Sequence, residues 1–131
     1  MTDYYVSADA TGGGSGTSTG DPFDFDEMMS QINSSSGGNK FHVKAGTYDV
    51  DGTYMINANG GNKVGAEIVG YKTSPGDLDS KISTGSAQTF GTDLPVFQTT
   101  NAANSFGIDG SFWSFRNLAF ESTVDQAAFY L

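Results

Sequence analysis

Hydrophobic and polar positions along this chain follow a brief helical period, then a two-residue alternation from Lys40, and after it a series of short apolar runs. Tyr4, Tyr5 and Val6, followed by Ser7, form an aromatic and β-branched run that predicts a first strand. Phe25, Met28, Met29 and Ile32 recur at the spacing of one helix face, predicting a short amphipathic helix from Phe25 to about Asn33. Its start is well specified. Asp24 suits the N-cap, Glu27 stands three residues on where a capping-box partner belongs, and Phe23 can staple onto Met28. Ser34 to Gly38 ends the helix, with glycines able to take the left-handed terminal conformation.

From Lys40 the period changes to two, with Phe41 and Val43 pointing one way and His42 and Lys44 the other. Short apolar runs follow between Gly/Asn/Ser/Thr/Asp clusters: Tyr54 to Ile56, Ala66 to Val69, Val96-Phe97, Phe106 to Ile108, and the long stretch Phe112 to Phe120. No second amphipathic helix separates them, so βαβ crossovers are not expected. A sandwich needs tight hairpins, and only Asp51-Gly52, Asn59-Gly60 and Asp109-Gly110 offer them. A solenoid needs short strands repeating at roughly 20 to 30 residues. Phe41 to Val43, Ile68-Val69, Val96-Phe97 and Leu118 to Phe120 recur at about that interval.

The length of 131 residues suits one domain, with residues 1–39 as N-terminal strand, Gly-rich turn and helix, and residues 40–131 as the β region. The run Gly12-Gly13-Gly14-Ser15-Gly16 reads as a turn-rich crossing that delivers the chain into the helix, not as a tether. A formal charge of −9 repels a nucleic-acid backbone, which excludes nucleic acid as an expected partner. With no cysteine, disulfides and thiolate metal sites are excluded. No apolar run is long enough to span a membrane. The opening MTDYYVSADA lacks the basic and apolar regions of a secretory signal, so export by the general route is not expected.

The segments DYYVSADATGGGSGTSTGDPF, DFDEMMSQI, NKFHVKAGTYDV, AEIVGYKTSPGD and FWSFRNLAFES together resemble the N-terminal cap and first coils of right-handed parallel β-helix proteins of the pectate-lyase-like superfamily. The resemblance implies a mainly β fold: a short right-handed parallel β-helix, or solenoid, with an N-terminal capping α-helix. Phe25, Met28, Met29 and Ile32 would then plug the open end of the first coil. Asn117 would make a sharp bend between two strands, because Asn tolerates the left-handed region and its amide can reach a neighbouring coil.

Polysaccharide lyases and hydrolases of that superfamily work with Asp clusters, an Arg or Lys base and often calcium, and this chain does not match them well. Arg116, its one arginine, has no Asp cluster in the same segment and reads as a structural or surface residue. Asp77 and Asp79 beside Lys81 are paired carboxylates that read as solvated. Asp49 to Gly52 resembles the start of a calcium loop, but Gly60 stands where the twelfth-position Glu is required, so no cofactor is expected, with calcium as the one alternative. His42, the sole histidine, reads as a surface residue. The glycine run satisfies neither a nucleotide loop nor a nucleophile elbow. Trp113 and Tyr130 are the candidate contacts for a glycan or a protein partner.

These readings lead to the expectation of a non-enzymatic structural protein of a virus or phage particle, such as a tail fibre, spike or head-decoration protein, released by host lysis. The apolar ending QAAFYL would need covering, which implies a homo-oligomer, such as a trimer, or docking on other virion proteins. The alternatives are an N-terminal fragment of a polysaccharide lyase or depolymerase and a carbohydrate-binding module.

Overall fold

The computed structural model of the chain describes residues 2–34, 38–57, 67–79, 87–109, 114–124 and 129–130. Within them the order is β1 (Asp3–Val6), α1 (Phe25–Ser34), β2 (Lys40–Lys44), β3 (Thr47–Asp49), β4 (Thr53–Asn57), β5 (Glu67–Tyr71), β6 (Val96–Thr99), β7 (Ser105–Asp109), β8 (Ser114–Arg116), β9 (Ala119–Ser122) and β10 (Phe129–Tyr130).

Once two strands are neighbours their core-facing residues fix the register, since a slip of one residue would turn those side chains outward. All named strands pair in parallel, in three small sheets of order β1-β2-β5-β8, β3-β6-β9 and β4-β7-β10. In the first sheet Tyr4, Phe41, Ile68 and Phe115 stand in one register row. In the second, Tyr48, Phe97 and Phe120 do the same. With Phe106 of β7, these rows meet in one aromatic core: the Phe97 ring lies 5.4–5.8 Å from the rings of Phe25, Tyr48, Phe106 and Phe120.

Helix α1 begins where its capping chemistry dictates. The Glu27 amide donates to Asp24 Oδ1 (2.8 Å) and the Asp24 amide donates to Glu27 Oε2 (2.9 Å), while the Gly13 amide donates to Glu27 Oε1. Phe25, Met28, Met29 and Ile32 are all buried in the shared core. Each such side chain contributes about 1.5–3 kcal/mol relative to leaving it in water.

The Gly-rich segment is part of the fold. Tyr5 donates its amide to the Gly16 carbonyl (2.8 Å), and Phe23 and Ser7 continue the ladder by donating to Tyr5 and Phe23 carbonyls (2.9 and 3.0 Å). Ser15 Oγ donates to Asp21 Oδ2 at 2.6 Å, closing the turn. Gly16 has φ +69°, and a Cβ there would sit 2.4 Å from the Phe23 ring, so only glycine lets the chain pass. The outer edge of β1 is thereby covered.

The expected closed solenoid is corrected by this topology. The described residues form three small parallel sheets and one short helix, and no closed β-helix is traced through them. The four apolar runs taken as one repeating series divide between two sheets: Phe41 pairs with Ile68, whereas Phe97 pairs with Tyr48 and Phe120. Successive strands of the first sheet are also unevenly spaced, since Lys40 pairs with Glu67 and Glu67 with Ser114, intervals of 27 and 47 residues. Apolar spacing therefore marked strands correctly in kind while giving no single repeat length.

The long run from Phe112 is broken in the middle. Asn117 takes φ +59° between β8 and β9, and its Nδ2 donates to Asp79 Oδ1 at 2.7 Å.

Candidate functional site

Three regions gather polar chemistry: the outer face of the first sheet, an acidic cavity beside α1, and the end formed by the last strands. The outer face is set by register. Asp3, Lys40, Glu67 and Ser114 form one row across β1, β2, β5 and β8, and Tyr5, His42, Val69 and Arg116 form the next. Opposite charges in these rows meet: Lys40 Nζ lies 3.6 Å from Glu67, and Arg116 lies 3.7 Å from Glu67 and 3.6 Å from Asp79. Pairs this exposed contribute about 0–1 kcal/mol each. Arg116 thus has a structural environment of two carboxylates, and Asp79 is engaged with both it and Asn117.

His42 departs from the sequence reading. It is only 7% exposed, not a surface residue. The Tyr5 ring stacks on it at 5.1 Å, its Nε2 is 3.8 Å from Asp3 Oδ2, and its Nδ1 is buried without a hydrogen-bond partner. Alternation placed it on the outward face correctly, but that face is covered at this point. Burial depresses its basicity, the Asp3 carboxylate opposes the change, and Lys40 adds to it.

Asp77 acts as a loop anchor: its carboxylate accepts the amides of Lys72 (2.8 Å), Thr73 (2.7 Å) and Ser74 (3.0 Å). Asp77 and Asp79 therefore serve local structure and do not converge as an acid–base pair. Lys81 lies outside the described residues. A second ordered loop spans Thr89 to Leu94. Asp93 accepts the Thr89 amide (2.9 Å) and Lys72 Nζ (2.7 Å), and the Lys72 contact holds its carboxyl below the usual range. This loop presents Phe90, which is 57% exposed.

Beside α1, an open cavity of about 210 Å³ is lined by Asp24, Asp26, Asp49 and Asp51 together with Thr47 and Tyr48. Asp49 and Asp51 are the start of the calcium-like loop; Gly60 lies outside the described residues. Among the described residues no three His, Cys, Asp or Glu side chains converge to hold a metal ion. Asp24 is already committed to the Glu27 amide. Tyr48 is buried, donates from its hydroxyl to the Lys44 carbonyl (2.7 Å), and has its ionisation pushed far up by burial, so it supplies no phenolate.

At the far end, β8, β9 and β10 are each the last strand of their sheet among the described residues. Phe115, Leu118 and Phe120 pack on the core there and are only partly buried. Of the candidate contacts, Tyr130 belongs to β10 and pairs with Gly107, while Trp113 lies outside the described residues.

The sequence reading did not single out Asp3, Glu67, Asp93 or Phe90. The first two become a charged ladder only once the parallel register is known, because nothing local ties Asp3 to a strand beginning at Lys40. Asp93 and Phe90 lie in a Thr/Gly/Asp loop whose composition resembles the others in the chain.

No protein-family model, curated protein or solved structure matches the chain. The functional reading therefore rests on its own residues and geometry.

Proposed function

We propose that this protein is a non-enzymatic structural component of a virus or phage particle, joined to its neighbours through the end built by β8, β9 and β10. The observation that carries the reading is the asymmetry of the two ends. At one, α1 buries Phe25, Met28, Met29 and Ile32, and the Gly16–Phe23 segment covers β1. At the other, β8, β9 and β10 are each the last strand of their sheet among the described residues, and Phe115, Leu118 and Phe120 of the β8–β9 segment are only partly buried. Strand edges and aromatic surface of this kind favour association with another chain. A covered opposite end limits that association to finite assemblies, because head-to-tail growth needs two complementary ends. The polar groups at hand support the same reading: the carboxylates of Asp24, Asp77 and Asp79 are used in a cap, a loop and a bend. The placement in a virus particle carries forward the expectation drawn from the sequence, where the Asp clusters of lyases and hydrolases in the superfamily that the segments resemble are not matched.

Density-gradient purification of particles from the source lysate, probed with an antibody to this chain, tests the reading. A band co-migrating with particles at stoichiometric intensity is expected. The chain remaining wholly in the soluble fraction, or turnover of an acidic polysaccharide by the purified protein with or without calcium, would overturn it.

A further inference from the structure

The sole histidine occupies a place that a protonated ring does not suit. Its row partners are Tyr5 on β1 and Val69 on β5, with Arg116 beyond on β8. On the same face, two residues away along each strand, stand Asp3 on β1, Lys40 and Lys44 on β2, and Glu67 and Tyr71 on β5. The charges that act on the ring are Asp3 and Glu67, which favour its protonation, and Lys40, which opposes it, and Glu67 already lies within ion-pair distance of Lys40 and Arg116, so the opposition to a charged ring comes mainly from burial. Only Asp3, half exposed and 3.8 Å away, addresses Nε2. Nδ1 is buried with no partner. In the neutral ring one nitrogen carries a proton and the other does not, so the proton can sit on Nε2 toward Asp3 and leave Nδ1 bare. In the charged ring both nitrogens are donors, and Nδ1–H would be a buried donor with nothing to receive it.

From this geometry we propose that His42 is an acid-sensitive latch on the N-terminal strand, holding β1 and the Gly-rich segment behind it in place at neutral pH and loosening them when the ring is protonated. Tyr5 is the coupling element. Its ring stacks on His42, its amide donates to Gly16, and its carbonyl receives the Phe23 amide. A ring that must move toward water to hydrate Nδ1–H displaces Tyr5, and with it two of the three hydrogen bonds that cover the β1 edge. The consequence is that acid uncovers a sheet edge at the end of the molecule otherwise closed.

The sign follows from burial, which lowers the folded-state basicity below the ordinary value of 6.5. The latch is then intact above about pH 6.5, and its contribution is lost as pH falls below that value toward the folded-state midpoint. One titrating group changes the opening equilibrium by up to about tenfold per pH unit.

Two measurements on the intact chain test this. Because there is a single histidine, its ring proton resonances are unambiguous, and their titration is expected to have a midpoint below 6.5. A midpoint at or above 6.5 would overturn the proposal. Amide exchange at Tyr5, Ser7 and Phe23, corrected for intrinsic rates, is expected to lose protection between about pH 7 and about pH 5 in the native chain but not in His42→Gln. Asp3→Asn is expected to lower the ring's titration midpoint further and to deepen the loss of protection at about pH 5, since it removes the carboxylate that favours the charged ring. Equal pH dependence in the native chain and Asp3→Asn, or in the native chain and His42→Gln, would contradict the latch even where one variant folds poorly.

Discussion

Gly70 of β5 runs against the Asn117 backbone so closely that a Cβ at position 70 would lie 1.8 Å from the Asn117 carbonyl oxygen and 2.8 Å from Pro95 Cδ. The contact joins the first sheet to the bend that starts β9. Neither atom can retreat easily, because Ala119 donates its amide to the Pro95 carbonyl at 2.9 Å. Gly70→Ala is therefore expected to destabilise the fold by roughly 1–3 kcal/mol or more, read from urea unfolding. An unchanged midpoint would mean that the two segments are not held together.

The bend itself makes a separate prediction. At φ +59°, Asn117→Val places a β-branched residue in the left-handed region, at a cost of about 1–2 kcal/mol, and also removes the hydrogen bond to Asp79. Asn117→Gly keeps the backbone conformation and loses only the side-chain bond. Thermal unfolding should rank the native chain and Asn117→Gly above Asn117→Val.

The capping box can be apportioned by a double-mutant cycle. Asp24→Ala is expected to cost about 1 kcal/mol. Glu27→Ala should cost at least as much, because its carboxylate also receives the Gly13 amide and ties the Gly-rich segment to the helix start. The two losses should be non-additive, since each side chain bonds the other residue's amide. Strict additivity would contradict the reciprocal geometry.

Phe97 stands where the helix and the second and third sheets meet. Phe97→Ala is expected to cost about 3–5 kcal/mol, and Phe97→Leu much less. Phe90→Ala, on an exposed loop residue, should leave stability unchanged within about 0.5 kcal/mol. Unfolding midpoints that failed to separate Phe97 from Phe90 would contradict the placement of the core.

Local chemistry was the legible part of this chain. The helix start at Asp24, Phe25 and Glu27 could be read because cap, box partner and apolar face lie within a few residues and act through nearest-turn hydrogen bonds. The bend at Asn117 could be read from the left-handed tolerance of Asn inside an apolar run. The joining of strands could not. Whether Val96-Phe97 lies beside Ile68 or beside Tyr48 depends on contacts between residues tens of positions apart, and apolar alternation is the same in either case. The burial of His42 was hidden for the same reason, since the Tyr5 ring that covers it comes from a strand whose register with β2 is set by the whole sheet.

The unequal ends of the molecule are most directly tested by light scattering of the purified chain at physiological salt, where the screening of its −9 charge permits association. The predicted result is a mass that rises with concentration through the micromolar range and levels off at a small whole multiple of 13.7 kDa. A constant mass of 13.7 kDa at every concentration would contradict an end built for a partner, and growth without a plateau would contradict an end closed by α1.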